Sequence, residues 1–327
     1  MSAYPIKWVP IGAEEKQRKL KVFHKEDSKE VDMMKSVPGG MSMPSEFVNG
    51  KWAEMIYNFK LRPDDVWIIG YPRCGTTWTQ EIIWQIINNL DLETAKNPFG
   101  LDRVPFLEVS ALKSKSDCPP PFMKDPIIFA DNMPTTNPRV MKSHMTFEML
   151  PPKMLETCKV VYVCRNPKDA IISYYKMHKF IITPEMGDAP FGDFADLVKD
   201  GDILYGSYWD HLKSGWSRKD HPNMKFIWFE DMKRDTPGQI KGIGEFLGHN
   251  LTKEQADSLC HSTNIDTMRA MGTKVATNEK EKQFAEKFFG KGKVGNWTEY
   301  FGGDKLEEFN KWIEGNLDGT DITIPFK

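Results

Sequence analysis

The sequence is poor in the features that would build a secreted or membrane-bound protein. Its five cysteines cannot all pair, and none lies in a C-x-x-C signature for metal or redox chemistry. No run of about 18 apolar residues occurs, and no basic stretch at the N-terminus leads into an apolar segment. These absences predict reduced thiols, a cytoplasmic location and no membrane partner.

A strong charge of either sign is absent too. The 44 basic residues nearly balance the 46 acidic ones, which leaves a net charge of −2. Because nucleic-acid binding depends largely on neutralised phosphates, this balance argues against a general nucleic-acid partner and leaves room for a local anion site. The 40% of hydrophobic residues, with 10 Trp and 20 Phe, can bury a large core without disulfides.

No internal repeat or Gly/Ser linker divides the chain. We predict an arm or lid over residues 1–50, which are polar and lack a sustained period, and a single domain over 51–327. Beyond Trp52, short apolar runs alternate with helical segments, the pattern of an α/β fold with a central parallel sheet flanked by helices. The predicted strands are Val66–Tyr71, Val140–Lys142, Lys159–Cys164 and Lys225–Phe229.

Helix signals lie between these strands. Apolar residues recur with helical spacing from Ile83 to Leu90. Thr236 ahead of a proline predicts an N-cap, and Thr252 with Gln255 three residues later predicts a capping box. Three segments that are rich in Pro, Gly or charge are predicted to be loops: 116–126, 183–193 and 272–296.

The most informative segment is Gly70–Trp78, between a predicted strand and a predicted helix. Its skeleton, G-x-x-x-x-G-T-T, matches the frame of a phosphate-binding P-loop, where glycines admit an oxyanion and a helix N-terminus offers free N–H groups. Thr76 replaces the lysine that would reach a γ-phosphate, and Arg73 supplies a cation inside the loop. Arg165 follows a strand where a triphosphatase would have its metal-binding carboxylate. We therefore predict a phosphorylated nucleotide bound without a metal, its charge neutralised by Arg73, Arg165 and Lys291.

Several motifs together resemble those of the cytosolic sulfotransferases. YPRCGTTW at 71–78 is similar to their 5′-phosphosulfate loop, YPKSGTTW, and RNPKDAIISYY at 165–175 is similar to their 3′-phosphate motif. The likeness continues in the family's order through RVPFLE at 103–108, RVMKSHMTFEMLP at 139–151, FEDM at 229–232, HSTNIDTM at 261–268 and KGKVGNW at 291–297. The resemblance implies sulfuryl transfer from 3′-phosphoadenosine 5′-phosphosulfate, leaving 3′,5′-diphosphoadenosine, on a P-loop-like domain that needs no metal.

The resemblance also implies site residues on the donor side. The 5′-phosphosulfate would be held by Arg73, Cys74, Gly75, Thr76, Thr77 and Trp78, and the 3′-phosphate by Arg165 and Ser173. The adenine and ribose would be bounded by Phe229, Thr263, Ile265 and Met268, and by a last loop of Phe288, Phe289, Gly290, Lys291 and Gly292.

On the acceptor side, Lys142 and His144 match the family's substrate-contacting lysine and catalytic histidine. An imidazole near its ordinary pKa of about 6.5 suits a general base that takes the proton of a hydroxyl acceptor. Arg73 would stabilise charge on the leaving oxygen, with help from Lys142. Apolar walls for a small-molecule acceptor would come from Phe106, Val109, Met177, Phe180 and Trp52.

Four positions depart from the family pattern. Arg73 replaces a lysine, which keeps the charge but makes proton donation to the leaving group less plausible. Cys74 replaces a serine, Phe229 a tyrosine, and Gly290 an arginine, so that a hydroxyl, an adenine hydrogen bond and a 3′-phosphate cation are lost.

The leading hypothesis is a sulfotransferase for a small, largely apolar alcohol or phenol. The alternative is a sulfotransferase-like dehydratase of an allylic alcohol such as retinol, because retinol dehydratase, of an insect branch of the family, resembles this chain in its loop arginine. Lys142 and His144 argue against a non-catalytic nucleotide-binding module, and Thr76 and Arg165 against a kinase.

The family's dimer segment, K-x-x-x-T-V-x-x-x-E, is largely missing. In that register the chain has Thr298 for the lysine and Gly302-Gly303 for Thr-Val, and it keeps only Glu307. A two-fold interface needs self-complementary contacts, so we expect a monomer, or a dimer that uses another surface.

Overall fold

A four-stranded parallel sheet lies at the centre of the molecule. The computed structural model describes residues 4–23, 32–97, 100, 102–109, 125–290 and 292–325, apart from the side chain of Glu185. The strands are β4 (Val66–Ile69), β5 (Val140–Ser143), β6 (Lys159–Cys164) and β7 (Met224–Trp228), in the order β5-β4-β6-β7. The predicted α/β fold is confirmed, and each predicted strand lies within two residues of an observed one.

Most strand residues are buried, and most of them are apolar, as expected of a parallel sheet with helices on both faces. The α-helices of the described residues are Ala13–Phe23, Ser45–Asn49, Trp52–Tyr57, Thr76–Ile87, Pro126–Asp131, Met154–Thr157, Pro167–Met177, Phe191–Lys199, Tyr208–Trp216, Phe229–Arg234, Thr236–Leu247, Lys253–Ser262, Ile265–Val275, Glu279–Phe288 and Gly303–Leu317. A π-turn at His178–Ile182 follows one of them, and short 3₁₀ turns lie at Thr94–Lys96, Phe147–Met149, Pro184–Met186 and Asn296–Glu299.

One of the two helix-cap predictions is confirmed and the other changes. The capping box at Thr252 and Gln255 is confirmed, but the N-cap of Thr236–Leu247 is Asp235, whose side chain accepts from the Gly238 N–H at 3.0 Å. Thr236 is therefore the first helical residue, because the carboxylate one position earlier satisfies the free backbone donor.

The loop predictions for 183–193 and 272–296 are wrong in part. The helix Phe191–Lys199 begins inside the first segment, and Glu279–Phe288 fills the middle of the second. Asn278 caps Glu279–Phe288 by accepting from the Glu281 N–H at 3.0 Å. Dense charge concealed this helix, because its charged residues face solvent while Ala285 is buried. Most of 116–126 lies outside the described residues.

The N-terminal segment is folded rather than extended. Strands β1 (Lys7–Pro10), β2 (Met33–Val37) and β3 (Ser42–Pro44) form an antiparallel sheet, and the helix Ala13–Phe23 packs beside it. Val22, Phe23, Met41 and Met43 are buried in the same apolar cluster as the main domain. The segment is therefore not a loose arm, while a domain boundary near residue 50 stays a prediction.

An ion pair closes the amino-terminal end of the sheet. Asp65 and Arg139, just before β4 and β5, are fully buried and form two hydrogen bonds, of 2.7 Å to Nε and 2.6 Å to Nη2. The remaining guanidinium donors bond the carbonyls of Ala130 and Lys60.

Among the described residues the cysteines are free thiols, and no helix there is long and apolar enough to span a membrane.

Candidate active site

The carboxyl-terminal ends of the four parallel strands bring the predicted site residues together. Gly70 follows β4, His144 follows β5, Arg165 follows β6 and Phe229 follows β7. Because parallel strands end at one edge of a sheet, residues distant in sequence meet there around a crevice.

The loop after β4 has the backbone of an anion cradle. Gly75 has a φ of 105° and is the N-cap of Thr76–Ile87, whose first N–H groups have no partner within the helix. A Cβ at Gly70 would lie 2.3 Å from the Val163 carbonyl oxygen, and one at Gly75 would lie 2.8 Å from the Phe229 ring. Arg73 also has a positive φ, 69°, a strained conformation typical of functional loops.

Arg73 points across the loop to the far side of the crevice. Its Nε donates to Ser173 Oγ at 3.0 Å and its Nη2 to the Phe288 carbonyl at 2.8 Å, while the guanidinium lies 4.9 Å from the Phe288 ring centroid. Burial and the neighbouring Arg165 charge lower the pKa of Arg73 to about 10, which still leaves it protonated at pH 7. The predicted 5′-side cation and the predicted 3′-side serine are thus in direct contact.

Arg165 lies beside this pair with one unused donor. Its Nη2 donates to the Lys293 carbonyl at 2.9 Å, and its guanidinium lies 4.4 Å from the Phe229 ring centroid. Its Nε is buried and has no hydrogen-bond partner among the described residues. A buried, unsatisfied arginine donor is costly, so this atom marks a place where an anionic ligand would be stabilised.

The predicted adenine residues form an apolar wall next to Arg165. The rings of Trp78 and Phe229 meet edge to face with centroids 5.7 Å apart, and Trp78 Nε1 donates to Thr263 Oγ1 at 3.4 Å. Met268, on the helix Ile265–Val275, is buried. A Cβ at Gly292 would contact Ile265 at 3.5 Å, which places the two residues against each other.

The last predicted loop is held over the crevice by charged side chains. Arg269 Nη2 donates to the carbonyls of Phe289 at 3.0 Å and Gly290 at 2.6 Å. Further along, the Asp169 carboxylate accepts from the N–H groups of Gly295 at 2.7 Å and Trp297 at 3.0 Å. Asp169 thus anchors this loop through two backbone N–H groups. Lys291 lies outside the described residues.

His144 is partly buried, and its ring is oriented by the loop that follows β4. Its Nδ1 lies 2.6 Å from the Gly70 carbonyl oxygen, which can only accept, so Nδ1 carries the proton and Nε2 is left with its lone pair. Burial, the Lys142 charge and other nearby positive groups lower the pKa of His144 to about 3. The imidazole is therefore neutral at pH 7, with Nε2 available as a base.

Lys142, on β5, belongs to a cluster of ionisable groups whose pKa values are shifted. Burial lowers its pKa to about 8, against the raising effect of Glu108 and Glu81. Burial raises the pKa of both carboxyl groups to about 7. Glu81 pairs with Arg103, and Lys142 Nζ lies 4.7 Å from the Phe106 ring centroid. A lowered lysine pKa beside raised carboxyl pKa values is typical of functional sites, where proton transfer and charge stabilisation take place.

The five residues predicted to line the acceptor pocket lie in different parts of the structure. The Phe106 ring meets the His144 ring edge to face at 5.2 Å, and Met177 Sδ lies 3.5 Å from Arg73 Nη1. Val109 is buried one turn beyond Phe106, with its N–H bonded to the Phe106 carbonyl. Phe180 is 44% exposed under Lys287, and Trp52 packs against Phe47 in the N-terminal part. The roles of these five residues stay predictions.

Two residues at His144 were not predicted. Glu108 Oε1 accepts from Ser143 Oγ at 2.9 Å and from the His144 N–H at 2.5 Å. Tyr205 has a φ of 69°, its ring lies 5.4 Å from the His144 ring, and its hydroxyl is buried without a partner among the described residues. Its N–H donates to the Ser42 carbonyl at 2.8 Å. The RVPFLE motif could have flagged Glu108, whereas nothing near Tyr205 in sequence signals a site.

The arrangement joins an anion cradle with two arginines to a neutral imidazole and a buried lysine. It can hold a multiply charged nucleotide on one side and remove a proton from a neutral acceptor on the other.

The dimer segment 298–307 includes the start of the helix Gly303–Leu317, and the expected assembly stays a prediction.

Comparison with known proteins gives consistent matches over nearly the whole chain. A family model described as Sulfotransferase domain matches residues 63–321. The chain is 32% identical over 296 residues to Sulfotransferase 1E1 of Bos taurus, covering 88% of this chain and 94% of that protein. It is also 32% identical over 296 residues to Sulfotransferase 1C2 of Homo sapiens, covering 89% and 95%.

Solved structures extend the likeness to the full fold. Retinol dehydratase in a complex with retinol and PAP aligns with a TM-score of 0.85 at 29% identity, over 98% of this chain and 99% of that one. The same protein with androsterone and inactive cofactor PAP aligns with a TM-score of 0.86 at 28% identity, over 99% of both chains.

Proposed function

Because the chain belongs to the sulfotransferase family, we propose that it uses 3′-phosphoadenosine 5′-phosphosulfate to sulfate a small, largely apolar alcohol or phenol, with His144 as general base. The observation that carries the proposal is the 2.6 Å contact between His144 Nδ1 and the Gly70 carbonyl. It presents an unprotonated Nε2 at the same strand edge as the anion cradle.

The donor side fits such a nucleotide. Free N–H groups at the start of Thr76–Ile87 suit the 5′-phosphosulfate, and the unpartnered Arg165 Nε suits the 3′-phosphate. Trp78 and Phe229 offer apolar surface to the adenine. When bound, the nucleotide supplies the activated sulfuryl group, and no metal is needed for the charge that Arg73, Arg165 and Lys142 neutralise.

On the acceptor side, His144 Nε2 takes the hydroxyl proton while the acceptor oxygen bonds to sulfur. The positive charges of Arg73 and Lys142 stabilise the oxygen that becomes negative as the old S–O bond breaks. A pKa of about 8 keeps Lys142 mainly protonated at pH 7. Since positive neighbours lower the pKa of His144, we expect an anionic donor to raise it toward the range where imidazole accepts a proton.

The test is His144→Ala against His221→Ala, a histidine at the amino-terminal end of β7 that bonds the Asn223 N–H. We expect His144→Ala to lower turnover on the order of a hundredfold or more, with 3′,5′-diphosphoadenosine affinity nearly unchanged, because the base acts only on the acceptor. His221→Ala should keep full turnover. Near-normal turnover of His144→Ala with a phenol would refute the base assignment.

A second candidate is the dehydratase, favoured by the match to retinol dehydratase over 98% of the chain. In that reaction the sulfated allylic alcohol loses sulfate as its C–O bond breaks, and a base removes a proton from carbon. His144 Nε2 is the base available for that proton. Supplying sulfur-labelled donor with phenols, sterols and retinol separates the two: a labelled organic product supports the transferase, and free labelled sulfate with an alkene supports the dehydratase.

A further inference from the structure

A buried histidine contacts the backbone of His144. His211, on the helix Tyr208–Trp216, has no solvent exposure. Its Nε2 is 3.2 Å from the His144 carbonyl oxygen, and its Nδ1 is 2.7 Å from the Tyr162 hydroxyl on β6. The ring also meets the Tyr71 ring of the phosphate loop edge to face at 5.8 Å.

The surroundings fix which nitrogen of His211 carries the proton. The His144 carbonyl can only accept, so an unprotonated Nε2 would set two acceptors against each other at 3.2 Å. Burial lowers the pKa of His211 to about 4, which excludes the doubly protonated ring at neutral pH. Nε2 therefore donates to the His144 carbonyl, and the single Tyr162 hydroxyl proton faces two acceptors, His211 Nδ1 and the His211 carbonyl oxygen.

We propose that His211 is a positioning residue that holds the backbone of His144 so that its ring keeps the Gly70 contact and presents Nε2 to the acceptor. The proposal rests on the proposed role of His144 as base. Three groups then hold the base: Gly70 bonds the ring, Glu108 bonds the N–H, and His211 bonds the carbonyl. Small losses of alignment are costly when a proton must be taken in a defined geometry.

The discriminating pair of variants is His211→Gln and His211→Asn. The glutamine amide reaches roughly as far as Nε2 and can still donate to the His144 carbonyl, whereas asparagine is one methylene shorter and serves only the Tyr162 side. In either variant the Tyr162 hydroxyl keeps the residue 211 carbonyl, 2.8 Å away, as a partner. We expect His211→Asn to lower kcat about tenfold with unchanged donor affinity and acceptor KM, and His211→Gln to stay within about threefold of the original.

A second readout does not depend on turnover. In protein labelled with ¹⁵N-histidine, His144 should show a protonated Nδ1 and an unprotonated Nε2, and His211→Asn should turn this into a mixture of tautomers. His211→Gln should preserve the single tautomer. Tyr162→Phe provides a further variant, since it removes the hydroxyl that faces Nδ1 and so weakens the preference for the ring protonated at Nε2, and it should shift both readouts in the direction of His211→Asn by a smaller amount.

Equal kcat in His211→Asn and the original protein, or equal losses in the asparagine and glutamine variants with an unchanged His144 tautomer, would overturn the proposal. The base assignment fails separately, through retained turnover in His144→Ala. In that case the His144 tautomer in His211→Asn still decides whether His211 holds it.

Discussion

The two ends of the central sheet treat buried charge in opposite ways. At the amino-terminal end, Arg139 and Asp65 satisfy each other, and the remaining donors of Arg139 bond backbone carbonyls. At the carboxyl-terminal end, several buried polar atoms have no hydrogen-bond partner among the described residues: Glu108 Oε2, Arg165 Nε, Tyr205 OH and Glu230 Oε2.

The difference separates stability from function in this fold. Burying a polar group without a partner costs free energy, so a structure that serves only stability pairs its buried charges. Unpaired groups that gather at one sheet edge, beside a helix N-terminus, are a site whose cost is offset when a ligand binds. Breaking the paired end should therefore lower stability most, and removing the unpaired Arg165 donor should weaken ligand binding most.

The largest expected effect comes from breaking the paired end. Arg139→Leu leaves Asp65 buried without its partner, and the free energy of unfolding should fall by about 3–5 kcal/mol. Urea unfolding measures this loss, while turnover per folded molecule should not change. The double variant Arg139→Met with Asp65→Asn should recover much of the loss, because no unpaired charge remains. A double variant as unstable as the single one would show that the pair is not the cause.

A smaller effect should follow from breaking the unpaired end. Arg165→Ala should weaken 3′,5′-diphosphoadenosine binding by about 1.5–3 kcal/mol, the value of charge-assisted contacts, and 5′-AMP binding much less. Calorimetry with both nucleotides provides the comparison. Arg62→Ala is a suitable control, because Arg62 bonds the carbonyls of Asp131 and Pro134 away from the site. Equal losses for the two nucleotides would remove Arg165 from the 3′-phosphate site.

The third prediction concerns the pH dependence of stability, which depends on histidines with lowered pKa and on carboxyl groups with raised pKa. Burial lowers the pKa of His144 and His178 to about 3 and of His211 to about 4, so their stabilising effect is lost as pH falls below about 6.5. Burial raises the pKa of Glu81, Glu108 and Glu230 to about 7, so their effect is present at low pH and is lost as pH rises from about 4.5 through 7.

Between about pH 4.5 and 6.5 these two effects oppose each other, and the urea midpoint should be nearly flat there. It should fall below about pH 4.5, where only the histidines take up protons on unfolding, and again toward pH 7.5. Each unbalanced proton contributes roughly 1.4 kcal/mol per pH unit. Glu230→Gln removes one carboxyl group and should reduce the fall near pH 7. A midpoint that rises steadily from pH 5 to 7.5 would contradict these shifts.

Local sequence signals predicted the elements around Gly70–Trp78 well. A strand, a loop with glycines at fixed spacing and a helix start are adjacent in sequence, so Gly70–Trp78 could be placed on its elements before the structure. Lys159–Cys164 matches its strand residue for residue, because a strand buried on both faces is a continuous apolar run with clear ends.

The remaining features depend on contacts between distant residues. Glu108, Tyr205 and His211 reach His144 from three separate segments, and no spacing rule predicts that meeting. The helix Glu279–Phe288 was missed because its stripe of apolar residues is narrow among charges. The N-terminal sheet was missed because its strands are three to five residues long and gain their stability from packing on the main domain.

The contact between Ser42 and Tyr205 bears on how this chain could be recombined with its relatives. The Ser42 carbonyl accepts from the N–H of Tyr205, a strained residue whose ring lies against the His144 ring, and a Cβ at Gly206 would lie 2.5 Å from the Gly40 carbonyl oxygen. The first fifty residues therefore pack against the segment that surrounds His144, and the two should be exchanged together. A chimera joined near residue 50 would exchange part of the wall around the acceptor together with its N-terminus, and acceptor preference should follow that exchange more than donor affinity does.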